Sequence, residues 1–315
     1  IQLSSGKLNE WNPDLGGEVL DVVIDQGRIF AGGYFSSVQI SSSPINRNLV
    51  ASWLLSDGSL TAWNPQFTGS SVEDLLVEQD TVYAAGTFSS VNGSIRNNLV
   101  RLDGTSGQVH DWDFSTNCTV NTISRQSNEL LVGGCFSFSH YYQRQRLMAY
   151  RASTGRVFNW HPLVNSSILA LEHTNSRLFV GGQFNDISGT PHSGIARFDL
   201  SLLSDTADTW DPGLFYQNNY YSVTIHDMTT NGSNLIIAGT FDSLGTVKRL
   251  HLAEISQADG STTSWNPDMN GPVYCVAAQS GKVLAGGSFT RGSFRERYFI
   301  AGLRHSTKSV LDWKP

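Results

Sequence analysis

Three cysteines in a chain of 315 residues cannot all pair with one another. No Cys-x-x-Cys or His-x-x-x-His spacing accompanies them, so a zinc site is not expected. Long apolar runs are missing too. Stretches such as Leu235 to Ala238 fall far short of the roughly 20 residues that a bilayer-spanning helix needs. No basic-then-apolar leader precedes Ile1, and the absence of an initiating Met suits a processed or excised chain. Nor is there a block of one charge: the 21 Lys and Arg are scattered and the net charge is −6, which argues against nucleic acid as a partner. Catalytic signatures are equally thin. No Gly-x-Ser-x-Gly elbow or phosphate-binding glycine loop is present, and the eight His share no register with Asp and Ser, so no cofactor is expected.

What is present is repetition. Trp-x-Pro recurs as Trp11-Asn12-Pro13, Trp63-Asn64-Pro65, Trp160-His161-Pro162, Trp210-Asp211-Pro212, Trp265-Asn266-Pro267 and Trp313-Lys314-Pro315, with Trp112-Asp113-Phe114 as a variant. Between successive Trp residues lies one Gly-x-Phe unit, beginning at Gly33, Gly86, Gly134, Gly182, Gly239 and Gly287. Fourteen residues before each of these Gly stands a β-branched residue: Val19, Val72, Val120, Ile168, Ile225 and Val273. Six units keep this spacing without exception.

Each unit reads as four short strands. In the first unit one strand runs from Val19 to Ile24 and a second from Arg28 to Gly33; a third covers Leu49 to Trp53, and a fourth ends at Trp63, where Pro65 stops it. Helical periodicity is absent. Repeats of about 40 to 50 residues with four strands each are the mark of propeller blades. The expected fold is therefore all-β, a six-bladed propeller of four-stranded antiparallel blades, with residues 1–315 as one domain. Strands such as Val19 to Ile24, apolar on both faces, would be sandwiched between neighbouring blades. The Gly residues of the second strand would make room for an aromatic ring of the next blade.

The run Leu178 to Phe184 (Leu-Phe-Val-Gly-Gly-Gln-Phe), the run Arg101 to Gly107 (Arg-Leu-Asp-Gly-Thr-Ser-Gly) and the closing Trp-Asn-Pro resemble the delta-60-type β-propeller repeats of secreted and cell-surface proteins. The resemblance covers essentially the whole chain. It implies an extracellular repeat scaffold and supplies no catalytic motif. One count does not close: the fourth strand has seven copies, since Lys7 to Pro13 and Ser309 to Pro315 both look like it. One of the two would complete the last blade as a ring clasp, leaving residues 1–13 as that clasp or as an extra outer strand.

Several residues are candidates for sites. Cys118 and Cys135 fall about opposite each other on a hairpin, as a disulfide or as two buried thiols, while Cys275 reads as a small core residue. Asn92, Asn117, Asn165 and Asn231 head glycosylation sequons in predicted connections. Asp21, Asp74 and Asp227 share one register twelve residues before a strand-two Gly. They either face a central channel as a cation or polar-ligand site or accept backbone hydrogen bonds where blades meet.

Loops joining strands two to three and four to one should emerge on one face, where two are aromatic: Tyr141 and Tyr142 in the third unit, and Phe215, Tyr216, Tyr220 and Tyr221 before the fifth. Such side chains suit stacking on sugar rings or anchoring a protein, or else they fold back as a lid. The expected function is an extracellular, non-catalytic recognition module with a glycan or an extracellular protein as partner. A subunit of a self-assembling extracellular structure is the alternative, and a hydrolase using the channel carboxylates is a third reading.

Overall fold

The computed structural model describes residues 11–40, 43–139, 142–174, 176–202, 204–217, 222–293, 295–307, 309 and 311. Among them there is no helix, so none is long and apolar enough to cross a membrane. The chain divides into two compact units, Glu10–His161 and Pro162–Pro315 with Ile1–Asn9. Each unit holds three consecutive repeats.

In every repeat the second strand is central, pairing antiparallel with the first on one side and the third on the other. In the first repeat these strands are Leu15–Asp25, Arg28–Ile40 and Val50–Leu54. The second uses Phe67–Glu78, Thr81–Val91 and Leu99–Asp103, and the third Val120–Gln126, Glu129–Gly134 and Leu147–Arg151. The other unit repeats the plan with Ile168–Thr174, Arg177–Gly182 and Ile195–Asp199, then with Thr224–Asn231, Asn234–Thr240 and Leu252–Ser256. Val273–Gln279, Lys282–Gly287 and Ile300–Arg304 complete it.

The fourteen-residue offset is a pairing register: Val19 lies opposite Gly33, Val72 opposite Gly86, Ile225 opposite Gly239 and Val273 opposite Gly287. A bulge follows in each case, between Val19 and Asp21, Val72 and Asp74, or Ile225 and Asp227. It draws the first-strand backbone inward, and this overturns the expected use of the glycines. A Cβ at Gly33 would stand 2.0 Å from the carbonyl oxygen of Glu18, in its own repeat. One at Gly32 would stand 2.7 Å from a methyl of Val72 in the next. The close approach is by backbone and aliphatic groups, not by an aromatic ring.

The fourth segment differs from expectation as well. It touches the third strand through single bridges, Trp53 to Leu60, Leu102 to Val109, Tyr150 to Val157 and Ile255 to Thr262. After that rung the chain leaves toward Trp-x-Pro, where proline has no N–H to continue a ladder.

An arginine replaces the missing rungs. Arg47, Arg96, Arg144, Arg249 and Arg297 each donate from Nη1 to the carbonyl of the preceding residue and from Nη2 to the carbonyl fourteen residues on, those of Thr61, His110, Phe158, Thr263 and Leu311. A planar guanidinium suits this two-pronged grip. The fourth repeat has His192 instead, buried with neither ring nitrogen bonded.

The cores lie between successive sheets. Phe30, Val50 and Trp63 pack with Val72, Leu75 and Val82, and Tyr83 and Leu99 pack with Val120, Leu130 and Tyr150. In the other unit Phe179, Ile195 and Trp210 meet Ile225, Leu235 and Ile237, and Ile236 and Leu252 meet Val273 and Val283. Two of the Trp-x-Pro tryptophans act as wedges. Trp63 stands edge-on to Phe30 and donates Nε1–H to the carbonyl of Asp103, and Trp210 does the same with Phe179 and Ser256.

Two expectations about the terminal sheets fail. Val22 and Ile24 are 53% and 60% exposed, not sandwiched, because alternate residues of a strand face opposite ways and only Val23 turns toward the second repeat. Cys275 is likewise exposed, on the side of its strand opposite buried Val276. The clasp residues 1–10 and the terminal 312–315 lie outside the described residues. Trp11 is described: its ring packs edge-on against Trp53 and its Nε1 donates to the carbonyl of Gly58.

Candidate functional site

One edge of each sheet is built by two connections that zip together. The segment leading into a first strand pairs with the hairpin that follows the second strand: Leu15 with Val38, Phe67 with Val91, Thr116 with Ser139, Val164 with Ile187, and Leu214 with Leu244. Loops of both kinds therefore share an edge.

A cleft of about 520 Å³ opens on this edge of the first two repeats, lined by Ser36, Asn46, Asn48, Asn64, Gln66 and Thr68 over Phe67. Its wall exists because the first hairpin is longer than the others. Arg47 follows Gly33 by fourteen residues, whereas Arg96 follows Gly86 by ten. Asn48 is committed, donating to the carbonyl of Phe67 at 2.5 Å. Gln66 is held by its backbone, which exchanges hydrogen bonds with Asn92. The side-chain amides of Asn46, Asn64 and Gln66 are left facing the cleft. Each offers a donor pair and an acceptor and carries no charge.

The aromatic candidates occupy the same kind of edge in other repeats. Tyr142 is 51% exposed, with the Arg144 guanidinium 5.5 Å from its ring, and Phe138, across from Gln143 in the same hairpin, is exposed too. Phe215 is 57% exposed while its neighbour Leu214 is buried in the core, so the fold-back role falls to Leu214. Tyr216 is half-buried. Tyr141, Tyr220 and Tyr221 lie outside the described residues.

Asp21, Asp74 and Asp227 go to the junctions between repeats. Asp21 Oδ2 accepts the N–H of Leu75 at 2.8 Å, Asp74 Oδ2 that of Ile123 at 2.7 Å, and Asp227 Oδ2 that of Val276 at 2.7 Å. Each donor residue follows the corresponding position of the next repeat, on the free edge of a first strand where its N–H has no ladder partner. Burial raises the Asp21 carboxyl above its ordinary value, against the lowering by the N–H groups of Leu75 and Val22 and by a side-chain hydrogen bond with Asp74. The fourth repeat has Ala170 at this position, and there Glu172 substitutes: its Oε1 accepts the N–H of Thr230 at 2.8 Å, and burial raises its pKa. Among the described residues no group of three or more His, Cys, Asp or Glu is placed to hold a metal ion.

Cys118 and Cys135 form a disulfide with Cα atoms 5.6 Å apart. Asn117 caps the hairpin beside it, its Oδ1 accepting from Ser137 and Phe138 and its Nδ2 donating to Ser137. Asn165 does the same for Asn185 and Asp186. Asn92 donates to the Gly107 carbonyl and Asn231 to Glu254. Every sequon amide thus spends one N–H and keeps one. Asn92, Asn117 and Asn165 are exposed, and Asn231 is half-buried.

Sequence reasoning missed the cleft and the arginines. A scan ten residues past Gly86, Gly134, Gly239 and Gly287 finds Arg96, Arg144, Arg249 and Arg297.

With this geometry in view, comparison with known proteins bears on the fold. A family described as "Domain of unknown function (DUF5122) beta-propeller" matches residues 80–108 and 174–205. The matched segments are similar to β-propeller repeats. The matched segments hold the second and third strands of the second and fourth repeats. The crystal structure of the computationally designed Ika8 protein is similar at a TM-score of 0.54 and 11% identity, covering 96% of this chain and 87% of that one; this likeness concerns fold alone. No curated protein matches the chain.

Proposed function

We propose that the chain is an extracellular, non-catalytic recognition module that binds neutral carbohydrate, its six repeats serving as the blades of one propeller with the arginine-held segment as each fourth strand. The observation that carries the reading is the cleft beneath Asn46, Asn64 and Gln66. Uncommitted side-chain amides around the cleft match the hydroxyls of a sugar. Exposed Tyr142, Phe138 and Phe215 offer stacking surfaces on the same kind of edge. The Cys118–Cys135 disulfide favours an oxidising compartment, and the exposed sequon asparagines suit a secreted glycoprotein. The hydrolase reading loses its support, since Asp21, Asp74 and Asp227 are spent on backbone N–H groups.

The test is a glycan array probed with the wild-type chain and with Asn64→Ala, Gln66→Ala and Tyr142→Ala. Binding to uncharged saccharides that the two cleft variants abolish supports the reading; an array on which wild type binds nothing sinks it.

A further inference from the structure

Two repeats carry an arginine at the middle of the third strand, and the contrast between them defines a second site. In the fourth repeat Arg197 is fully engaged. Its Nε donates to Asp208 at 2.7 Å, its Nη1 to the carbonyls of Gln257 and Ala258, and its guanidinium lies 5.5 Å from the Trp210 ring. Gln257 fills the space beside it, donating to the carbonyls of Gly232 and Asn234.

In the second repeat Arg101 occupies the same place, 4.4 Å from the Trp112 ring. The neutralising carboxylate of Asp208 and the space-filling side chain of Gln257 have no counterpart there. His110 stands where Asp208 does, since both lie two residues before the Trp and both donate their backbone N–H to the carbonyl of the arginine. Ala152 stands where Gln257 does, each donating its N–H to the turn of the preceding hairpin. The shorter side chain leaves a cleft of about 530 Å³, lined by Arg101, Ala152, Ser153 and Asn128 among others. The Arg101 Nε is buried there with no acceptor. Of the other charged groups in the cleft, Arg125 and Glu78 neutralise each other at 2.5 Å. Asp25 also lines it, and its Oδ2 is buried without a donor.

We infer that this cleft binds an acidic sugar, whose carboxylate takes the place of Asp208 at Arg101 and one of whose hydroxyls donates to Asp25. An anion is required because a guanidinium desolvated against an indole ring is stabilised by a charged acceptor. A plain anion would leave Asp25 Oδ2 without a donor, whereas a hydroxylated carboxylic acid brings both an acceptor for Arg101 and a hydroxyl for Asp25. The site lies apart from the neutral cleft and does not depend on it.

The experiment titrates the full chain with glucuronic acid, glucose and sodium sulfate separately, following thermal midpoint and calorimetric heat. Glucuronic acid should raise the midpoint by a few degrees in a saturable way, with glucose giving no shift at this site. Arg101→Gln should lose the response. His110→Asp should raise the ligand-free midpoint and also lose the response, because it restores an internal carboxylate. Ala152→Gln, which keeps Arg101 and fills the cleft, guards against a variant that merely unfolds and should lose it too. Gln66→Ala, in the neutral cleft, should retain it. The inference is overturned if glucuronic acid gives no shift, if sulfate matches it, or if His110→Asp and Ala152→Gln still respond as wild type does.

Discussion

Asp21 accepts the backbone N–H of Leu75, fifty-four residues further along, at 2.8 Å. The bond joins one repeat to the next and satisfies a donor that the sheet cannot. Asp74 offers the same test one junction on, where its removal also takes away its hydrogen bond to the Asp21 carboxyl. Asp74→Ala strands the N–H of Ile123 and should cost about 1.5–3 kcal/mol, the range for a hydrogen bond to a charged acceptor. Urea denaturation checks this; a loss near zero would show the junction to be held by packing alone.

Asp21 also sets a pH dependence. Burial holds its carboxyl above the ordinary 3.8, so across the window from 3.8 up to that raised value the folded chain binds more protons than the unfolded one. Stability due to this group therefore falls as pH rises through the window, and the cost persists above it. Asp21→Asn should gain on wild type over the same interval, read as urea midpoints between pH 4 and pH 8. A constant difference between the two proteins would contradict the assignment.

The arginine grip has a built-in exception at His192, whose pKa burial depresses below 6.5. The unfolded chain then takes up the proton first, so stability is lost as pH falls through 6.5. His192→Arg should restore the grip and flatten that loss. Arg144→Ala in the third repeat should do the reverse, costing about 1–3 kcal/mol by leaving the carbonyl of Phe158 without its donor. Thermal melts at pH 5 and pH 7.5 distinguish these outcomes from simple surface substitutions.

The disulfide is a local staple. With a sequence separation of 17 between Cys118 and Cys135, its removal by the double Cys→Ser change should cost about 3 kcal/mol. The melting curve of wild type should shift with reductant, and that of the double variant should not.

Much of the fold is legible because it rests on strict spacing. The β-branched residue and its Gly are cross-strand partners, so their offset cannot drift without breaking a rung. The arginine grip is equally regular yet hidden, since the longer first hairpin carries Arg47 out of step and His192 breaks the residue type. The residue that ends this grip adopts a left-handed backbone in each repeat, at Leu49, Asn98, Arg146, Gly194, His251 and Phe299. Only one of the six is the glycine that would have signalled it. The Asp register was visible, but whether a carboxylate faces a ligand or a neighbour's N–H depends on the bulge, which no residue type announces. The neutral cleft depends on an insertion whose wall is visible only once the hairpin and the Trp-x-Pro connection are seen to zip together.

The most direct test of the recognition reading follows the side-chain amide resonances of Asn46, Asn64 and Gln66 by nitrogen-15 NMR during titration with glucose, galactose, mannose and N-acetylglucosamine. The account predicts that at least one of these sugars shifts all three amides together and saturably, while the engaged amides of Asn117 and Asn165 stay still. If none of the four sugars moves the three amides, or if the engaged amides shift equally, the claim that this cleft recognises neutral carbohydrate is wrong.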